Sequence, residues 1–181
     1  GIRGGSATVH FPIWHQEIRD IIVLKNNKGT EDNRVRKLDY SIQLSALFYQ
    51  RFIDNEKITL FSPHDVAGLY DSFGTESFDD LYKQYELDES IPKTQVDAQE
   101  LILDLLKERA ETGRLYLMNI DHCNSHSSFT DKVEMSNLCQ EITLPTKPIQ
   151  HIDDKTGEIA LCILSAINVG KIRDLSDLEV L

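Results

Sequence analysis

An α/β layer or barrel is the fold class this sequence predicts. Strand-like and helix-like segments alternate along its 181 residues, which argues for strands joined through helical crossovers. The clearest helices carry residues suited to cap their ends. The run "GEIALCILSAINVG" is apolar almost throughout, the pattern of a strand buried on both faces of a parallel sheet. The length suits one domain with a sizeable core, and no repeat, low-complexity tract or linker divides it.

In chain order, "SATVHFPIW" is β-rich, with Pro12 demoting part of it. "HQEIRDIIVLKNNKG" spaces Ile18, Ile21, Ile22 and Leu24 as a helix and stops at Asn27 and Gly29. "SIQLSALFYQRFIDNEK" reads as one amphipathic helix with Ile42, Leu44, Leu47, Phe48 and Phe52 on a broad apolar face. "ITLFS" is a short strand. A helix is expected over "SPHDVAGLYDSF", with Ser62 as N-cap and Pro63 at its first position. "ESFDDLYKQYELDES" is an acidic helix with a solvated outer face. "DAQELILDLLKERAETG" is the strongest helix, burying Leu101, Ile102, Leu105 and Leu106 and ending at Gly113. "RLYLMNI" is a strand, followed by a polar, turn-rich stretch.

Composition narrows the function classes. A net charge of −11 opposes a broad phosphate-binding surface and argues against nucleic acid as a partner, while leaving room for a nucleotide in one local pocket. No apolar run reaches membrane-spanning length, and the start lacks a signal-peptide pattern. Three cysteines, Cys123, Cys139 and Cys162, are an odd, low count that suggests a reducing cytoplasm. The chain opens at Gly1 inside a glycine-rich stretch and closes on "DLSDLEVL", which resembles a helix just begun. It is therefore expected to be a piece of a longer protein.

The stretch with most chemistry is "MSNLCQEITLP". Asn137, Cys139 and Glu141 stand at every second position, and in an extended strand they would share one face. The carboxylate would raise the thiol pKa, whereas a nucleophilic cysteine wants a cationic neighbour. The grouping suits a thiol that gives up a hydrogen atom, with Glu141 as a general base and Asn137 as a hydrogen-bonding positioner. A partly buried strand with one polar face explains the same spacing. Cys162 in "ALCILSA" is either a core thiol or a redox thiol facing Cys139. Asp121, His122, Cys123 and His126 offer an irregular zinc set without C-x-x-C, or an ordinary polar turn. In "GIRGGS", glycine permits close backbone approach and Arg3 can reach a base or phosphate; a flexible loop is the plainer reading.

Taken in order, "RGGSATVHFPIWH", "VLKNNKG", "DHCNSHS", "SNLCQE", "LPTKP" and "GEIALCILSAIN" closely resemble the catalytic large subunit of class I ribonucleotide reductases. The resemblance covers essentially the whole chain. It implies part of a ten-stranded α/β barrel with a central finger loop, incomplete in this chain, residues 1–181 being its central portion. It implies that Cys139 at the finger tip is the thiyl radical that takes the ribose 3′-hydrogen. Glu141 would accept the 3′-hydroxyl proton, and Asn137 would hold the substrate hydroxyls. Cys162 would be one of two thiols that reduce the 2′-position, with loss of water and formation of a disulfide. Arg3 would lie in a loop linking an effector to the substrate base.

The resemblance further implies no cofactor bound by this segment. The radical would come from a metal-containing small subunit, and ATP and deoxynucleotide effectors would bind the complete subunit. Implied partners are a ribonucleoside diphosphate, the remaining large-subunit segments, the small subunit, and thioredoxin or glutaredoxin as reductant. The family's second reducing cysteine, effector cone, phosphate loop, tyrosine pair and C-terminal cysteine tail have no match in these residues. The segment alone is expected to be inactive. The competing readings are a non-catalytic barrel segment kept for assembly, a small zinc module, and an ordinary thiol enzyme with Cys139 as nucleophile.

Overall fold

Strand β1 (Thr8–Pro12), strand β2 (Asp39–Leu44) and strand β5 (Leu115–Asn119) form a parallel sheet in the order β1-β2-β5. These come from a computed structural model that describes residues 4–147, 149, 151–158, 160–172, 174 and 176. Strand β3 (Lys57–Phe61) and strand β4 (Lys93–Asp97) pair antiparallel as a second, two-stranded sheet. The fold is mixed α/β, as the alternation of patterns predicts. The described strands do not close into a barrel.

Central β2 is buried on both faces. Tyr40, Ile42 and Leu44 alternate with Ser41 and Gln43, and all five lie below 4% exposure. This corrects the single helix expected over residues 41–57. Ile42 and Leu44 follow the strand period of two, whereas helix α2 (Ala46–Ile53) buries Phe48 on a helical stripe. Ser45, extended at φ −127° and ψ 171°, separates the two. The broad apolar face was two short periods fused across one serine.

Helix α1 (Ile18–Ile22) buries Ile18, Ile21 and Ile22 as expected, but ends after five residues. Residues 62–68 form turns rather than the helix expected from Ser62 and Pro63. The Ser62 carbonyl accepts from Asp65 N at 3.0 Å, and helix α3 (Leu69–Ser72) starts only after Gly68, at φ 74°. A left-handed residue cannot continue a right-handed helix, so the N-cap signal opened only a turn. Helix α4 (Phe78–Leu87) is the expected acidic helix. Helix α5 (Ala98–Thr112) is capped by Asp97, whose carboxylate accepts from Glu100 N at 3.0 Å, and ends at Gly113 at φ 63°. It buries Ala98, Leu101, Ile102 and Leu105, while Leu106 is 43% exposed, contrary to expectation. The buried stripe is one residue narrower than the apolar pattern. Strand β4 has no sequence signal, because "KTQVD" is mostly polar; it is defined by its backbone pairing with β3, with Gln95 also donating to Thr59 Oγ1 at 3.3 Å.

An aromatic cluster sits within a mainly aliphatic core. Phe48, Phe61, Phe73, Phe78 and Tyr82 are almost wholly buried, and Phe48 meets Tyr82 edge-on at 5.5 Å between centroids. Tyr82 also completes a strand edge. Phe61 exchanges backbone bonds with Trp14 and Gln16, but two residues earlier, on the edge of β3 away from β4, no strand among the described residues lies beside Thr59. The Tyr82 hydroxyl fills that place, accepting from Thr59 N at 2.8 Å and donating to Thr59 O at 2.6 Å. Tyr82→Phe leaves both buried groups unpartnered and should cost about 2–3 kcal/mol, read as a lower urea midpoint at unchanged m-value.

The apolar run at 157–170 is the largest departure from expectation. Residues 160–168 form no strand, and their large side chains are exposed: Leu161 is 79%, Ile163 92% and Leu164 82% exposed. Glu158 alone pairs, in an isolated bridge with Lys147. An apolar β-pattern reports how well a segment fits a sheet, and among the described residues no strand stands beside this one to receive it. The helix start read at the C-terminal end falls largely on residues outside those described. No helix among the described residues is long and apolar enough to cross a membrane.

Candidate functional site

Helix α6 (Ile120–Ser125) follows β5 and organises the approach to the cysteine-bearing stretch. Its Asn124 grips the backbone of buried Val133 from both sides, accepting from Val133 N at 2.8 Å and donating to Val133 O at 3.0 Å. Gly74 permits the helix to sit this close. It has φ 88°, and a Cβ there would fall 2.8 Å from the Ile120 side chain and 2.9 Å from the Asn124 amide. From Val133 the chain runs past Gln43, whose amide donates to Glu134 O at 2.5 Å.

Residues 136–142 then fold into a tight turn, which overturns the strand face read from alternation. Gln140 is left-handed at φ 66°, a conformation no strand contains. The turn is closed by its own polar groups. Gln140 N donates to Asn137 O at 3.2 Å, and Ser136 Oγ donates to Ile142 O at 2.5 Å. Asn137 Oδ1 accepts from Ile142 N at 3.1 Å and lies 3.2 Å from Ser136 Oγ. Its amide oxygen is thus committed, and Nδ2 is left as a donor for something outside the turn. Cys139 is exposed at the apex, a free thiol, and Glu141 is exposed beyond it. Neither side chain has a hydrogen-bond or ion-pair partner among the described residues. The amide, thiol and carboxylate are therefore brought together on one exposed turn.

Strand β1 lies under this turn. Thr8 Oγ1 donates to Leu138 O at 2.7 Å, a bond between residues 130 positions apart. His10 lies against the Ser136 backbone without closing a hydrogen bond, and both ring nitrogens are buried without a partner. Burial pushes its pKa below the ordinary 6.5, against a smaller upward pull from the Ser136 backbone. The folded protein thus holds a neutral ring that the unfolded chain protonates at its ordinary pKa. The contribution to stability is full above 6.5 and is lost as pH falls below 6.5 toward the folded value. His10→Phe should flatten stability against pH in that window, seen by urea unfolding at about pH 7.5 and about pH 5.5.

The other sequence-based candidates scatter. Cys162 is exposed in residues 160–168, which form no strand, and no hydrogen bond or disulfide joins it to Cys139. Arg3 lies outside the described residues. Asp121 serves as a cap, accepting from Ala46 N at the start of α2 at 2.7 Å and from His122 N at 2.8 Å. His122 and His126 meet edge-on at 5.9 Å between ring centroids, and the Cys123 thiol is pushed up by burial and by Asp121. Among the described residues no three metal-ligating side chains converge. A cavity of about 580 Å³ lies at the C-terminal ends of β2 and β5, near Ser45, Asp79, Asp121 and Lys132, away from Cys139. A smaller one of about 310 Å³ reaches the turn through Gln140 and contains Cys123. Thr8, His10 and Gln43 escaped the sequence reading because nothing local ties a residue in β1 or β2 to a turn some hundred positions away.

A parallel α/β sheet whose strands brace an exposed, thiol-bearing turn defines the class of protein. The family follows from comparison with known sequences. A family model described as "Ribonucleotide reductase, barrel domain" matches residues 1–180, and the chain belongs to that family. The ribonucleoside-diphosphate reductase subunit alpha of Haemophilus influenzae is 56% identical over 180 residues, covering 97% of this chain and 24% of that protein. Subunit alpha of Escherichia coli ribonucleoside-diphosphate reductase 1 is 53% identical over 154 residues, 82% of this chain and 20% of its own length. Its counterpart from Enterobacteria phage T4 is 42% identical over 194 residues, 99% of this chain and 25% of the relative. The chain spans about a quarter of the length of the curated relatives it matches.

Proposed function

We propose that this chain is the central, cysteine-bearing part of a ribonucleotide reductase large subunit, acting on ribonucleoside diphosphates in the cytoplasm. The reading rests on family membership and on one observation: Cys139 stands free at the apex of a tight turn, between a carboxylate and an amide whose N–H donors are uncommitted. In the proposed cycle Cys139, as a thiyl radical, takes the ribose 3′-hydrogen. Glu141 accepts the 3′-hydroxyl proton while Asn137 Nδ2 donates to the substrate oxygens. The 2′-hydroxyl departs as water after protonation by a thiol. Cys162 and a second thiol supply the two reducing electrons and become a disulfide, and Cys139 returns the hydrogen to C3′. A metal-containing small subunit would generate the radical, and thioredoxin or glutaredoxin would reduce the disulfide. ATP and deoxynucleotide effectors would act on the complete subunit, with Arg3 passing their state to the base. The apolar 157–170 segment would become a strand of a ten-stranded barrel when joined to the remaining segments. By themselves these 181 residues would be inactive. The test is a chimera in which this chain replaces the matching quarter of the Haemophilus influenzae subunit alpha. Deoxynucleotide formation with that enzyme's small subunit supports the reading, and a folded but inactive chimera overturns it.

A further inference from the structure

The finger turn is anchored to the parallel sheet at defined points. Gln43 of β2 holds Glu134 O, and Ser136 and Asn137 close the turn from within. Among the described residues, one side chain from outside the turn holds the apex itself. Thr8 of β1 donates its hydroxyl to the carbonyl of Leu138, at 2.7 Å. That carbonyl belongs to the peptide bond whose nitrogen is Cys139's own, so the bond fixes the peptide plane from which the thiol projects. Strand β1 is itself rigidly placed, in register with β2 from Thr8↔Asp39 to Pro12↔Gln43. The next side chain on the same face, His10, fills the space beneath Ser136 and has no polar partner of its own.

We infer that Thr8 is a positioning residue for Cys139, transmitting the rigidity of the parallel sheet to the thiol through the Leu138 carbonyl. The inference rests on the proposed function, since it concerns where that thiol sits during hydrogen transfer. Hydrogen-atom transfer is steeply sensitive to separation, and a displacement of about 1 Å in a reacting group can cost about a hundredfold in rate. Asn137 is held from within the turn by Ile142 N rather than by Thr8, so its contact with substrate, and substrate contacts made outside the turn, should be little affected.

The experiment uses the active chimera. Thr8→Val keeps the shape and removes the donor; Thr8→Ser keeps the donor and removes a methyl. Thr8→Val should lower kcat about tenfold or more with KM nearly unchanged, and should enlarge the isotope effect from 3′-deuterated substrate. Thr8→Ser should stay within about twofold of the parent. Full kcat in Thr8→Val overturns the inference. So does a kcat loss that Thr8→Ser shares, or one without a change in isotope effect, since either marks a merely structural threonine. If Thr8→Val does not fold, the isotope effect is read in Thr8→Ala, with the same outcomes. Cys139→Ser separates the two levels: if it retains turnover the proposed function fails, whereas if it is inactive and Thr8→Val is not, only the inference about Thr8 fails.

Discussion

Cys139→Ser should abolish deoxynucleotide formation by the chimeric enzyme, a loss of more than about a thousandfold, while leaving its folding intact. The thiol is exposed at the apex of its turn and makes no hydrogen bond, so exchanging sulfur for oxygen disturbs no packing. Circular dichroism and the thermal midpoint should match the parent. The chemistry should nevertheless stop, because a hydroxyl holds its hydrogen too strongly to serve as the abstracting radical. Glu141→Gln should retain the fold and lose about a hundredfold or more in kcat, as removal of a general base does. Unchanged turnover in Cys139→Ser would leave a non-catalytic barrel segment as the better reading. Rapid alkylation of Cys139 at neutral pH, selective over Cys123 and Cys162, would instead favour an ordinary nucleophile.

The second large effect is on stability. Arg51 is 8% exposed, and it makes two bonds to Glu86, at 2.6 and 2.5 Å. It also donates to Lys57 O at 2.8 Å and lies 5.0 Å from the centre of the Tyr82 ring. Glu86 additionally accepts from Thr59 Oγ1 at 2.6 Å. The group ties α2, α4 and β3 together beneath the aromatic cluster. Arg51→Ala strips the pair from one side and leaves a largely buried carboxylate, which should cost about 3–5 kcal/mol. Replacing both partners, Arg51→Met with Glu86→Leu, should recover most of that loss, because neither charge then needs solvating. Urea midpoints of the single and double variants decide it; a double variant as weak as Arg51→Ala would show that the charges themselves carry the stability.

This network shows how far the sequence could be read. Helix α4 was legible from its acidic amphipathic pattern, but Glu86 looked like one more solvated charge on it. Only the approach of Arg51, 35 positions earlier, makes it a buried partner. The same holds at the turn. The grouping of Asn137, Cys139 and Glu141 was legible, although alternation assigned it to a strand that the left-handed Gln140 rules out. The resemblance to ribonucleotide reductases had already pointed to a loop.

The sequence by itself determined the alternation of strands and helices, the end of α5 at Gly113, the choice of thiol, carboxylate and amide, and the family. These are properties of local period, local capping chemistry and residue identity, all carried within a few positions. The tertiary structure alone decided that residues 41–53 divide at Ser45 and that polar β4 is a strand. It also decided that residues 160–168 lie outside any strand, and that Thr8 rests under Leu138. Strand pairing and side-chain anchoring depend on what stands alongside in space, and a linear pattern records a segment's readiness to pair but not its neighbour.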